Sequence, residues 1–286
     1  MLLVLNRPAL PQSQRAQLKR LGSRLGSSFA LAFEPEVSIA KARNKALDWA
    51  LEEGLNWLAF IDSDCWPQPD WLSRLMLCAR HTGAAVVAGD ADIRPDSQPS
   101  RFVPSNTWGK GSYSSWHFVG KNELNTAFTR NVVFRVDMVP SVRSGSLRFT
   151  EFLGSQGGSD LLFFKEIHSQ GFKIAFCRSA LVVENYSGER LRFRWHFKRT
   201  VRNTQLALLR GERVSDLFRQ RFRRASSQEI AASERPERTT HLLSTQPWLF
   251  QALGRMGLFV AAGIGLLAFK LDFRYSSYSD SWSRCR

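Results

Sequence analysis

Residues 57–64 read Trp57-Leu58-Ala59-Phe60-Ile61-Asp62-Ser63-Asp64: five apolar residues that stop on a carboxylate, a small residue and a second carboxylate. A short, uninterrupted apolar run closed by polar residues is expected of a buried central strand. In an open α/β sheet the ligand sits outside the carboxyl ends of the strands, which is where the two aspartates fall. Side chains alternate along an extended chain, so Asp62 and Asp64 project to the same side and can share one hard cation. Asp-x-Asp alone is a common turn or helix-cap sequence; its position behind an apolar run is what gives it weight here.

Working outward, the chain alternates. Upstream, Leu2–Leu5 reads as a strand, Gln12–Gly22 as a helix and Phe29–Phe33 as a second strand. Ser38 can cap a helix through Ala42, Ala46, Leu47 and Ala50, stopped by Gly54. Downstream, Asp70–His81 places Leu72, Leu75, Met76 and Ala79 on one stripe, with Gly83 behind it, and Ala84–Gly89 is a further strand. The pattern predicts an α/β fold with a mostly parallel sheet flanked by helices.

The 286 residues carry 40 Lys and Arg against 25 Asp and Glu, a net +15 that calls for an anionic partner or surface. Residues 190–224 hold twelve of the cations and only Glu212 and Asp216 as anions. Leu191, Trp195, Thr200, Leu206, Leu209 and Phe218 recur among them at helical spacing, which reads as basic amphipathic helices or as a solvated face paired with carboxylates. Residues 225–240, mostly small and polar, read as a linker. Beyond it, Met256–Phe269 is uncharged for fourteen residues, short of the roughly 20 that span a bilayer. Extension back to Trp248 takes in Arg255. A membrane-seated hairpin or interfacial helix is expected, with a buried core helix as the alternative; Gly254, Gly257, Gly263 and Gly265 favour lipid. The expected divisions are a catalytic domain over 1–189, basic helices over 190–224, a linker over 225–240 and a membrane-associating segment over 241–286. Four scattered cysteines without CxxC suit a reducing compartment, and the first residues do not read as a signal peptide.

Ala42-Arg43-Asn44 with Ala46-Leu47, the run Leu58–Asp64, and Trp71-Leu72 resemble the "ARN..AL", "FIDSD" and "WL" elements of glycosyltransferase family 2. The likeness continues through Asn131–Arg135, Leu147-Arg148-Phe149, Gly157-Gly158-Ser159-Asp160, Phe163-Phe164, Arg190 and Trp195. It covers about residues 29–200 and is greatest to bacterial enzymes of succinoglycan and other exopolysaccharide assembly.

That resemblance implies a GT-A-like fold and an inverting transfer of a sugar from a nucleotide-diphosphate-sugar to a polysaccharide or lipid-linked acceptor. By the same resemblance Asp62 and Asp64 hold a divalent cation, Mg or Mn, and the donor, in company with Arg43. Asp160 is the base that takes the acceptor proton. Arg190 meets phosphate and Trp195 the acceptor. Glu184 is a possible third metal ligand, and the loop 101–117 with Trp108, Tyr113 and Trp116 a possible acceptor site. The expected place of work is the cytoplasmic face of the bacterial inner membrane, peripheral or monotopic, against an anionic membrane surface and without nucleic acid.

The likeness departs from the family in two places. Ser159 stands where the family has Glu before the base. Only about 40 residues precede Ala42-Arg43-Asn44, one strand-helix unit fewer than the family has; either Leu2–Asn6 aligns with its second strand, the better fit, or Asn6-Arg7-Pro8 is the exit of its first strand and the second unit is shortened. Two rival readings follow: a catalytically inactive glycosyltransferase-like scaffold, and a basic nucleic-acid-binding protein that uses the arginines of 190–224. Asp160 could also serve only as the cap of a helix that starts at Leu161.

Overall fold

The computed structural model describes residues 2–6, 11–25, 30–104, 107–111, 113, 117–152, 157–209 and, near the C-terminus, 256–258, 260–262 and 264. The expected linker and nearly all of the segment 241–286 lie outside the described residues, as do Trp116 and the basic residues beyond α6.

The elements run β1 (Leu2–Asn6), α1 (Gln12–Leu25), β2 (Ala30–Glu34), α2 (Ile39–Glu52), β3 (Trp57–Ile61), β4 (Cys65–Pro67), α3 (Trp71–Thr82) and β5 (Val86–Pro95). Then come β6 (Gly109–Lys110), β7 (Phe118–Gly120), β8 (Glu123–Leu124), β9 (Asn131–Arg135), α4 (Pro140–Arg143), α5 (Ser159–Ser169), β10 (Ile174–Tyr186), a 3-10 turn (Gly188–Leu191) and α6 (Phe193–Leu209). Local chemistry sets the ends of several. Ser38 accepts the Lys41 amide at 3.3 Å to start α2. Gly83, at φ 63°, closes α3 by returning its amide to Ala79, a left-handed cap that favours glycine.

The main sheet has the order β3-β9-β5-β10-β8-β7, with β4 added to β10 and β6 to β5. Helices cover both faces: α2 and α5 lie over a core of Leu47, Phe134, Phe149, Phe163, Phe164 and Ile167, and α3 presses Leu75 and Ala79 onto Val87, Val133 and Ala175. The sheet is mixed, where the sequence pattern predicted a mostly parallel one. β5 and β10 pair in parallel, but β9 runs antiparallel between β3 and β5. An inverted strand supplied from 70 residues downstream leaves no mark in the strand–helix alternation around β3.

The expectation that Trp57–Ile61 is a central strand is corrected in the same way. Among the described residues β3 pairs only with β9, and Ile61 keeps 38% of its surface exposed. β1 and β2 form their own parallel pair, Leu2 opposite Ala30 through Asn6 opposite Glu34, with α2 against β1, β2 and β3. Leu31 and Phe33 are exposed there as well.

One irregularity positions the site. β10 follows β5 from Ile174 to Cys177, then three residues stand outside the register, and pairing resumes with Leu181 opposite Asp90. The Asn131 amide fills the break, donating to Asp90 O at 2.7 Å and Ala180 O at 2.9 Å, while its oxygen accepts the Trp71 indole N–H at 2.6 Å. Gly89 is needed beneath it: a Cβ there would lie 2.3 Å from the Asn131 amide nitrogen and 2.4 Å from Ala180 O.

Candidate active site

β3 delivers Asp62 to a tight turn in which the Cys65 amide returns to Asp62 O at 3.0 Å. The chain then runs back as β4, antiparallel to β10, with Cys65 opposite Glu184. Asp64 is thereby brought beside β10, and its carboxylate lies 2.9 Å from Arg190 Nη1. The same nitrogen is 3.1 Å from Glu184 Oε1, and the other Glu184 oxygen accepts Arg130 Nη1 at 2.6 Å. Burial disfavours the Arg130 charge, but Glu184 more than compensates and holds its pKa above the ordinary value. Arg190 lies with its guanidinium 5.1 Å from the centre of the Tyr186 ring. Its carbonyl accepts His196 Nε2 at 2.9 Å, which fixes the backbone of the 3-10 turn. Burial, with Arg199 alongside, lowers the His196 pKa to about 4, so the imidazole that makes this bond is neutral.

The opposite wall is the start of α5. Gly157 and Gly158 turn into the helix with φ of 78° and 88°. Asp160 stands inside the first turn and does not cap it: Gly158 is the N-cap, and no side-chain cap bond is made. The Asp160 carboxylate takes the amides of Leu161 at 3.0 Å and Thr129 at 3.4 Å. Arg43, from α2, approaches Asp160 at 3.8 Å and donates to Ser159 Oγ at 2.9 Å. In this chain Ser159 therefore receives the arginine at a position where the resemblance leads one to expect a second carboxylate. Asn44, next on α2, holds the Phe149 backbone from both sides, at 3.0 and 2.8 Å. Beneath Asp160, Phe163 stacks on Phe149 at 4.0 Å.

Asp62 belongs to both walls. Burial pushes its carboxyl up to about 6; Arg43 and Arg130 pull the other way, while Asp160 and Asp64 push it further. The cluster thus contains Asp62, Asp64, Asp160 and Glu184 against Arg43, Arg130 and Arg190, a formal charge of −1. The donor atoms available to a cation are carboxylate oxygens, which suit a hard divalent ion, and Asp64 is 41% exposed. Among the described residues no three His, Cys, Asp or Glu side chains are grouped to hold a metal. Any ion here would take its remaining ligands from a bound anion and water.

The structure therefore gathers Arg43, Asp62, Asp64, Asp160, Glu184 and Arg190 into one site. It commits both oxygens of Glu184 to arginines. Trp195 stands one layer behind, edge-on to Tyr186 at 5.7 Å and beneath Arg199. Trp108 and Tyr113, expected in an acceptor loop, are buried at 5% and 8% exposure. Trp108 packs on Tyr186 and His196, and Tyr113 on Phe128 and Phe176, because flat rings beside a sheet edge gain more from burial than from solvent. Arg130, Tyr186 and His196 are absent from the sequence reading, and Asn131 enters it only as the first residue of the likeness over Asn131–Arg135. Nothing local in Thr129-Arg130-Asn131 marks these contacts; only the pairing of β9, β5 and β10 brings Arg130 to Glu184 and Asn131 to Ala180.

Residues 24–143 match the family model described as Glycosyl transferase family 2. The chain is 32% identical over 193 residues to the succinoglycan biosynthesis protein ExoM of Rhizobium meliloti (strain 1021). The match takes in 68% of this chain and 59% of that protein, so the chain spans about three fifths of the length of its curated relative. Among solved structures, GalNAc-T7 with UDP, GalNAc and Mn2+ is similar at a TM-score of 0.47 and 12% identity, over 66% of this chain and 38% of that one. S. aureus TarS 1–349 is similar at a TM-score of 0.47 and 13% identity, over 96% and 83%. With the Asp-Ser-Asp turn behind an apolar strand and the family match lying across it, residues 24–143 form a domain of glycosyltransferase family 2.

Proposed function

We propose that this site transfers a sugar from a nucleotide-diphosphate-sugar to a hydroxyl of a glycan or lipid-linked acceptor, with inversion. The observation that carries the reading is the meeting of the Asp62–Asp64 turn with Asp160, bridged by Arg43, in one cluster of formal charge −1. Asp64 and Asp62 would hold a divalent cation, which supplies Lewis-acid stabilisation of the departing diphosphate. Arg190, 34% exposed, offers a guanidinium to the phosphates. Asp160 accepts the proton of the attacking hydroxyl, with its carboxylate oriented by the Leu161 and Thr129 amides. Inversion by single displacement needs a base on the face opposite the leaving group, and this reading gives that task to Asp160 and the diphosphate to the Asp62–Asp64 side.

Calorimetry of UDP and GDP with and without Mn2+, followed by transfer assays, tests this. Asp64→Asn loses metal-dependent binding; Asp160→Asn keeps it and loses about 10³-fold in transfer. Full turnover in Asp160→Asn removes it as the base, and absence of any metal-dependent nucleotide binding by the unaltered chain leaves the inactive-scaffold reading.

We further propose a peripheral or monotopic seat on an anionic membrane, at the cytoplasmic face of a bacterial inner membrane. No helix among the described residues is long and apolar enough to cross a bilayer. Met256, Val260 and Ile264, spaced by four, are exposed, while Ala261 and Ala262 are buried and Gly257 lies on the Phe193 ring. An apolar ridge of this kind beside the basic α6 suits an interface. Flotation with anionic but not neutral vesicles is expected, and loss of flotation on removal of 241–286; flotation that survives the removal contradicts this seat.

A further inference from the structure

The guanidinium of Arg190 occupies the space between the two carboxylates nearest the strand-end turn. One nitrogen, Nη1, is shared between Asp64 at 2.9 Å and Glu184 at 3.1 Å. The two arginines of this cluster are not equivalent. Arg130 is 14% exposed and bound to Glu184 alone among these carboxylates, whereas Arg190 is 34% exposed and shares itself with the more exposed Asp64. The Arg190 backbone is fixed, with its carbonyl on His196 and its amide on Ser187 O at 3.1 Å. The side chain beyond is long and rests on the face of Tyr186, so its tip can change partners while the turn stays in place.

We propose that Arg190 is the resting counter-cation of Asp64, so that the site refuses a free divalent ion and takes one only together with a diphosphate. This rests on the reading of Asp64 as the donor-metal carboxylate. The reasoning is electrostatic. The cluster stands at −1 with its three arginines in place; a divalent ion alone would bring it to +1, with the Arg190 charge directly beside the newcomer on the same carboxylate. A nucleotide diphosphate carries a negative charge on each phosphate and gives Arg190 a new partner when it leaves Asp64. Glu184 needs no rescue in that exchange, because Arg130 stays on its other oxygen. The exchange makes binding of ion and nucleotide mutually dependent, and the dependence is equal in both directions.

Mn2+ binding to the full chain, read by electron paramagnetic resonance or calorimetry, tests the idea without reference to turnover. In the unaltered chain Mn2+ alone binds weakly, and saturating UDP or GDP tightens it by at least about tenfold, within the usual range of coupling. Arg190→Gln, which removes the charge, binds Mn2+ alone about tenfold more tightly and loses the same factor of coupling. Arg190→Lys, which keeps the charge, stays near the unaltered chain. Equal affinity of the unaltered chain for Mn2+ with and without nucleotide overturns the proposal even if Arg190→Gln does not fold. So does a folded Arg190→Gln that binds Mn2+ no better than its parent. Asp64→Asn serves as the separate control: Mn2+ binding retained in that variant removes the underlying donor-metal reading, whatever Arg190 does.

Discussion

The two walls of the site hold their carboxylates by different means. Asp160 is fixed by backbone amides at the start of a helix whose underside is packed into phenylalanines. Asp64 is fixed chiefly by another side chain, Arg190, whose position depends in turn on Tyr186 and His196. A group held by backbone and core keeps its place through a reaction. One held by a counter-charge can exchange partners. Under the proposed function, the wall that would take the acceptor proton is built the first way, and the wall that would receive the donor is built the second.

The largest test of this contrast is at the floor of the helix wall. Phe163 is 1% exposed and stacked on Phe149, and its replacement by alanine should cost about 4 kcal/mol in denaturant unfolding. A loss below 1 kcal/mol would mean that the aromatic floor does not hold α5.

On the other wall the sensitive element is His196, and the effect is one of pH. Its folded pKa of about 4 lies below the ordinary 6.5, so the unfolded chain binds the extra proton first. The stability tied to neutral His196 is complete above pH 6.5 and is lost as the pH falls toward 4, about 3 kcal/mol in all. Asp62 acts in the opposite sense, since its folded pKa of about 6 exceeds 3.8 and favours the folded state toward acid. The difference between the parent and His196→Gln isolates the histidine: the gap in unfolding free energy should narrow from pH 7 to pH 4, and a gap independent of pH removes the role given to His196.

The smallest effect is expected at Tyr186, whose hydroxyl accepts Arg199 Nη1 at 2.8 Å. Tyr186→Phe keeps the ring under Arg190 and loses that bond, for about 1 kcal/mol by thermal unfolding and no change in Mn2+ affinity. A change in Mn2+ affinity would show that the aromatic platform is tuned through its hydroxyl.

The helix wall is the more legible from sequence. Ser38, the α2 stripe, Gly83 and the Gly157-Gly158-Ser159-Asp160 turn each announce themselves by local chemistry, and each element lies within a few residues of its expected place. The Asp62-Ser63-Asp64 turn is equally plain, because an apolar run closed by carboxylates has few other uses. What surrounds Asp64 is not. Arg130 reaches Glu184 across 54 positions of chain and Asn131 reaches Ala180 across 49, and both contacts depend on an inverted β9 that no period or cap foretells. The reading of β3 as central fails for the same reason: apolar composition shows that a strand wants cover, not which strand provides it.

The three unpaired positions in β10 have a geometric effect out of proportion to their size. Side chains along a strand alternate, so an odd number of supernumerary residues reverses the facing of everything that follows. Past Arg178, Ser179 and Ala180 the alternation restarts, with Val182, Glu184 and Tyr186 buried, Leu181 and Val183 partly buried and Asn185 exposed. The break thus sets Glu184 on the buried side, within reach of both Arg130 and Arg190.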